Sequence, residues 1–262
     1  MDPMADEKTR PDMTSDESQL HQDFTQTHWT TVLEAQATSV SGFEALNKLC
    51  QKYWRPVYAF IRRKWGQHSH HKAEDLTQGF FAEFIRKFPD LEISPEKGKF
   101  RTYLLACLNR YLCKDWERSP SASREVVIPP EDFEQVAANV DRIASSASAP
   151  ERVFDAEWAT TLARNAMATL REEYVAAGKA NIHARLLPLL TGRAAEGAYE
   201  TMAADLQMSE GALRVASHQF RRRFGQLLRD EVANTVGRPE DTDDELRYLL
   251  SLWGADQTAG TA

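Results

Sequence analysis

Cysteine is scarce in this chain of 262 residues: Cys50, Cys107 and Cys113 are an odd number without C-x-x-C spacing. That excludes a disulfide framework and a zinc knuckle, and leaves three reduced thiols. Long apolar runs are also missing. Nothing approaches the roughly 18 consecutive apolar residues of a membrane span. The opening M-D-P-M-A-D-E-K lacks the basic and apolar stretches of a secretory leader, so a cytoplasmic chain is expected. The signatures G-x-x-x-x-G-K, H-E-x-x-H and G-x-S-x-G are absent, and the acids are spread over tails and helix faces. Neither a catalytic constellation nor a cofactor is expected. His68, His70 and His71 form a short tract without partner ligands at metal spacing, and read as a solvated loop.

The remaining composition, 42% hydrophobic and 27% charged, is that of a soluble globular chain long enough for one or two domains. The net charge of -7 is unevenly placed. Residues 1–24 hold seven acids and two bases, and residues 240–262 hold six acids and one base, so the body between them is +3. Acidic ends around a near-neutral body leave room for local basic faces.

Apolar spacing is helical throughout, which makes the fold class all-α. In A-E-D-L-T-Q-G-F-F-A-E-F-I-R-K-F (73–88), Leu76, Phe80, Phe81, Phe84, Ile85 and Phe88 share one face. Asp75, Gln78, Gly79, Ala82 and Arg86 line the other, a polar and small-residue strip that another protein can approach closely. Before it, helical runs begin at V-L-E-A-Q and at Phe43, and Pro56 is placed at the first turn of a third, V-Y-A-F-I-R-R-K-W. After it, F-P-D-L-E-I-S-P-E-K-G-K reads as a loop, and Phe100 to Arg118 as a helix with Leu104, Leu105, Leu108, Tyr111 and Leu112 inward. On its opposite side Tyr103, Cys107, Arg110 and Lys114 fall in line, setting an aromatic ring beside two cations. Single-stranded nucleic acid is bound that way, the ring stacking on a base while cations hold phosphates.

Residues 119–150 are rich in Ser, Ala and Pro and read as a linker with a short helical turn near Phe133. Beyond it Trp158, Leu162, Ala166, Met167 and Leu170 step along a helix. Y-E-T-M-A-A-D-L, Q-M-S and E-G-A-L-R-V-A-S-H-Q-F-R-R-R-F then give two helices joined by a tight turn, with Ser209 as N-cap. Leu213, Ala216, Phe220, Phe224 and Leu227 face inward. From Ala212 to Arg229 there are five arginines and no acid. The pattern is that of a helix-turn-helix with a basic outer face. At the end, Leu246, Leu249, Leu250 and Trp253 make a one-faced helix expected to dock on the body.

The wording A-E-D-L-T-Q-x-F-F, followed by a helix of the Phe100–Arg118 type, a loose linker and a terminal helix-turn-helix, resembles the bacterial sigma-70 family. The likeness is strongest to its short extracytoplasmic-function (ECF) or ECF-like group. F-T-Q-T-H-W-T-T-V-L and L-R-Y-L-L-S-L-W resemble a subgroup with extended tails. The resemblance implies two helical domains joined by a flexible linker: a disordered acidic tail at 1–23, a region-2-like domain at 24–118, the linker at 119–150, a region-4-like helix-turn-helix domain at 151–236, and an acidic extension with a short helix at 237–262. It implies core RNA polymerase and promoter DNA as partners, with an anti-sigma factor or other regulator as a further one, and a role in recognising and opening promoters. Polymerase contact then falls to Asp75, Gln78, Gly79, Ala82 and Arg86. The minus-ten element falls to Lys99, Arg101, Tyr103, Asn109, Arg110 and Lys114, and the minus-thirty-five element to Ser209, Arg214, Val215, His218, Gln219 and Arg222. The chain departs from the family where it has Asn109-Arg110 in place of an Arg-Asn pair, and where Ala216 and Gln219 stand at positions that commonly carry bases. The alternative reading is a helix-turn-helix regulator that does not engage polymerase, which leaves the polar strip of 73–88 unexplained.

Overall fold

A computed structural model describes residues 40–65, 70–115 except 92, 95 and 97, 133–140 except 135 and 139, 149–191 and 198–258, together with Val32. The expectations for the tail at 1–23, for His68, for most of the linker and for the loop at 192–197 lie outside these residues, as do those for the side chains of His70, His71, Lys114 and Trp253. Every regular element among the described residues is helical. In chain order they are α1 (Val40–Trp65), α2 (His70–Lys87), α3 (Phe100–Asp115), α4 (Pro150–Ala176), α5 (Ala180–Leu186), α6 (Pro188–Thr191), α7 (Ala198–Asp205), α8 (Glu210–Ala233) and α9 (Thr242–Thr258).

Pro56 does not start a helix. It lies inside α1, which runs unbroken through it. An internal proline removes one backbone hydrogen bond and crowds the preceding turn, at a cost of about 3 kcal/mol. Tyr53, Trp54, Val57, Tyr58, Phe60 and Ile61 on both sides are buried, and that apolar burial outweighs the local penalty. Helix α2 also begins earlier than its apolar pattern, so the backbone of His70 and His71 is helical rather than looped.

The centre of the molecule is α4. Its first half is buried on nearly all sides, from Val153 through Ala159, because α1, α8 and α9 all pack against it. The most extensive of these contacts is with α1. Tyr53 stacks on Trp158 with ring centroids 4.3 Å apart and planes 7° from parallel, and Phe60 meets Phe154 edge-on at 6.4 Å. Such aromatic pairs contribute about 0.5–1.5 kcal/mol each beyond the area they bury. Helices on the two sides of 119–150 thus share one hydrophobic cluster. Within that segment Phe133, Val136 and Val140 are helical and buried, and Phe133 packs edge-on against Trp54 and Tyr58. In a Ser/Ala-rich stretch these three apolar residues are too few to signal that contact from the sequence.

Two helix ends use the same device, in which a residue in the left-handed region closes the last turn. At the end of α4 it is Gly178, φ 69°, with Lys179 N–H donating to the Tyr174 carbonyl at 2.8 Å. At the end of α7 it is Gln207, φ 54°, with Met208 N–H donating to the Ala203 carbonyl at 2.9 Å. This second turn sets α7 against α8, whose first turn is capped by Ser209.

Candidate functional site

Three groups of residues were singled out from the sequence. Each begins from a helix whose inner face is satisfied by the core. On α2, Phe80, Phe81, Phe84 and Ile85 are buried, and Phe80 packs edge-on against Tyr111 of α3 at 5.6 Å. Asp75 and Arg86 are left exposed on the far side, with no ion pair to a described residue, and Gln78 and Ala82 are half-buried beside them. Gly79 has an internal role instead. A Cβ there would stand 2.4 Å from the Tyr111 hydroxyl, so the space on that side of the half-buried Gly79 is taken by α3.

On α3, Tyr103 is half-buried and hydrogen-bonds with Cys107. Burial, and then that bond, raise the hydroxyl well above its ordinary pKa, so the ring is neutral at all physiological pH values. Burial likewise raises the Cys107 thiol, against the opposing pull of Tyr103 and Arg110. Asn109 accepts a 3.3 Å hydrogen bond from Lys64 of α1, while Arg110 is exposed. Between α2 and α3 lies a cavity of about 160 Å³, floored by Phe80, Phe84 and Tyr111 and rimmed by Lys87 and Arg110.

Lys99 and Arg101 are placed differently from what an open cationic surface requires. Lys99 pairs with Glu245 of α9 at 2.6 Å. Arg101 donates from Nε to Glu245 at 3.0 Å, and from Nη1 to Asp155 of α4. Burial alone would lower its pKa, but the two carboxylates more than offset that and raise it, so the guanidinium is held charged. Its plane lies over the Tyr248 ring, 5.1 Å from the centroid, and the Tyr248 hydroxyl donates to the second Asp155 oxygen at 2.5 Å. Glu245 and Asp155 carry no signal in the sequence, because apolar periodicity marks the inner faces of α4 and α9 and not a carboxylate buried on them. The buried face of α9 is Thr242, Glu245, Leu249 and Leu252, and Leu250, expected inside, is exposed.

On α8 the inner face is as expected, with Leu213, Phe220 and Leu227 buried and Ala216 and Phe224 partly so. The five arginines are not one basic face. Arg214 pairs with Glu210 and lies over the Tyr199 ring at 4.7 Å. Arg221 donates to the Leu189 carbonyl in α6, at 3.0 Å. Arg223 makes a two-pronged pair with Glu173, and Arg229 pairs with Asp243. Arg222 alone among these five is exposed with no partner among the described residues. Val215, His218 and Gln219 are exposed beside it, Val215 at 57%. Ser209 acts as helix cap, its hydroxyl accepting from Ala212 N–H at 3.2 Å. No group of three or more metal-ligating side chains occurs among the described residues, and no helix there is long and apolar enough to cross a membrane.

Residues 49–119, which run from the middle of α1 through α2 and α3, match the family model for sigma-70 region 2. Neither a curated protein nor a solved structure matches the chain. The match supports a sigma-70 family sigma factor, a class of non-enzymatic proteins that bind RNA polymerase and act in transcription initiation.

Proposed function

We propose that this chain is a sigma factor of the ECF or ECF-like group, working in the cytoplasm, which binds core RNA polymerase through α2 and directs promoter recognition and opening. The observation that carries the reading is the coincidence of the region-2 match with an α2 whose outer charges, Asp75 and Arg86, stand exposed and unpaired opposite a sealed aromatic face. Unpaired charges held on a rigid helix are available to a partner without first breaking an internal bond. Helix α3 then meets the displaced strand at the minus-ten element with Tyr103 and Arg110, the ring stacking on a base and the cation on phosphate. The pair α7–α8 acts as a helix-turn-helix on the minus-thirty-five duplex, with Val215, His218, Gln219 and Arg222 outward. Arg214, braced by Glu210 and Tyr199, takes a supporting place there.

The test is affinity for purified core polymerase. Asp75→Ala together with Gln78→Ala is expected to weaken binding at least tenfold while leaving the melting temperature unchanged, since neither side chain belongs to the core. Unchanged affinity in the folded double variant, together with retained binding to selected duplex DNA, would favour a helix-turn-helix regulator that does not engage polymerase.

A further inference from the structure

The start of α3 carries two cations, and both are already taken. Glu245 is 1% exposed and the Arg101 side chain 12%, so an external anion has little access to the guanidinium in this arrangement, while Lys99, 35% exposed, is held by its pair with Glu245. Nor is the occupation casual. Three of Arg101's five donors are spent on Glu245 and Asp155, its guanidinium carbon lies over the Tyr248 ring, and Lys99 completes the charge balance. Carboxylate and phosphate oxygens accept the same forked, charge-assisted bonds from arginine. A carboxylate on α9 is therefore a chemical equivalent of a backbone phosphate.

A second observation comes from how the helices meet. Phe100 N–H, at the first residue of α3, donates to the Thr235 carbonyl just past α8, at 3.0 Å. Thr235 is about 20 residues from Arg214, or about 30 Å along a helix, and α3 itself adds about 25 Å. No point of α3 is thus more than about 65 Å from Arg214 on the outward face of α8. Two elements whose names place them about 25 base pairs apart lie about 85 Å apart along B-form DNA. The docked arrangement is shorter than that centre-to-centre span, so engaging both elements in full requires the helices to separate or the DNA to bend.

We propose that α9 is an internal competitor of nucleic acid: Glu245, with Asp155, occupies Lys99 and Arg101 where a DNA phosphate backbone would bind, so that DNA binding by the start of α3 and docking of α9 exclude one another. The proposal rests on the reading of α3 as a DNA-facing helix. It does not rest on the α2 surface for polymerase.

The experiment uses the full chain without polymerase and a bubble duplex of random sequence, because phosphate contacts are independent of sequence. Glu245→Gln is expected to tighten binding several-fold and to steepen the log–log salt dependence by about one, because it frees Lys99 while Asp155 still holds Arg101. Adding Lys99→Gln and Arg101→Gln to it should return both quantities to those of the parent chain. A folded Glu245→Gln chain with parental affinity and salt slope overturns the proposal. Should that variant fail to fold, the parent chain answers the question. A zero-length carbodiimide link between the Lys99 amine and the Glu245 carboxylate is expected to form in the free protein and to fade as bubble DNA saturates it. A link undiminished by bound DNA overturns the proposal. Failure of the parent chain to bind core polymerase, measured separately, would sink the polymerase assignment and leave this proposal standing.

Discussion

Helices α2–α3 and helices α7–α9 solve the same problem, holding an outer surface in place, by different means. The first pair is fastened by rings. Phe80, Phe84, Phe88 and Tyr111 pack in succession at 5.1–5.6 Å, and the cations Arg86 and Arg110 are left outside. In the second set the inner faces are apolar too, but the outer arginines are tied up in ion pairs: Arg214 with Glu210 within α8, Arg223 with Glu173 of α4 and Arg229 with Asp243 of α9. Rings bury area and keep the outer charges free. Ion pairs at exposed positions give little stability, typically below 1 kcal/mol each, but they decide which cations remain available. A count of arginines therefore overstates the basic surface of α8, whereas the aromatic spacing of α2 describes its inner face well.

The contrast can be broken hardest at the seam between the halves. Trp158→Ala removes a fully buried ring stacked on Tyr53, and a loss of about 3–5 kcal/mol in urea unfolding is expected. A loss under about 1 kcal/mol would show that α1 and α4 do not pack in solution as described. Next is the tight approach within the aromatic pair. Gly79→Ala is expected to destabilise by about 1–3 kcal/mol through the clash with the Tyr111 hydroxyl. Tyr111→Phe, which deletes that oxygen, should recover most of the loss in the double variant, and simple additivity of the two would refute the clash.

On the other side, His183 is buried between Tyr174 and Phe220, and its Nε2 has no hydrogen-bond partner. Burial, and then Arg171, push its pKa below the usual histidine value. The unfolded chain binds that proton more readily, so the neutral ring's contribution is complete above about pH 6.5 and is lost as the pH falls further. Unfolding midpoints measured from about pH 8 to 5 should fall with acid, and fall less steeply in His183→Gln; parallel profiles would assign the loss to other groups. The smallest effect compares the two left-handed helix ends. Gln207→Gly is expected to stabilise by about 0.5–1 kcal/mol by removing side-chain strain, and Gly178→Ala to destabilise by a similar amount. Thermal melts giving both changes the same sign would contradict the turn geometry.

Much of this was legible from periodicity alone: the helical class, the inner faces of α2, α3 and α8, and the Ser209 cap are local consequences of side-chain spacing at 3.6 residues per turn. The polar strip on α2 was legible for the same reason, save for Gly79, whose neighbour Tyr111 comes from another helix. What periodicity could not supply was pairing. Lys99 and Arg101 lie 144 or more residues from Glu245 in the chain, and their meeting depends on where α4 and α9 come to rest. The unbroken course of α1 through Pro56 and the burial of Phe133 were decided in the same way, by packing that no local window contains. Local backbone sterics and amphipathic spacing act within a few residues, so the amino-acid sequence by itself determined the helices and their faces. Long-range burial and charge neutralisation act only once helices touch, so the tertiary structure alone decided which cations are spent and which stay free.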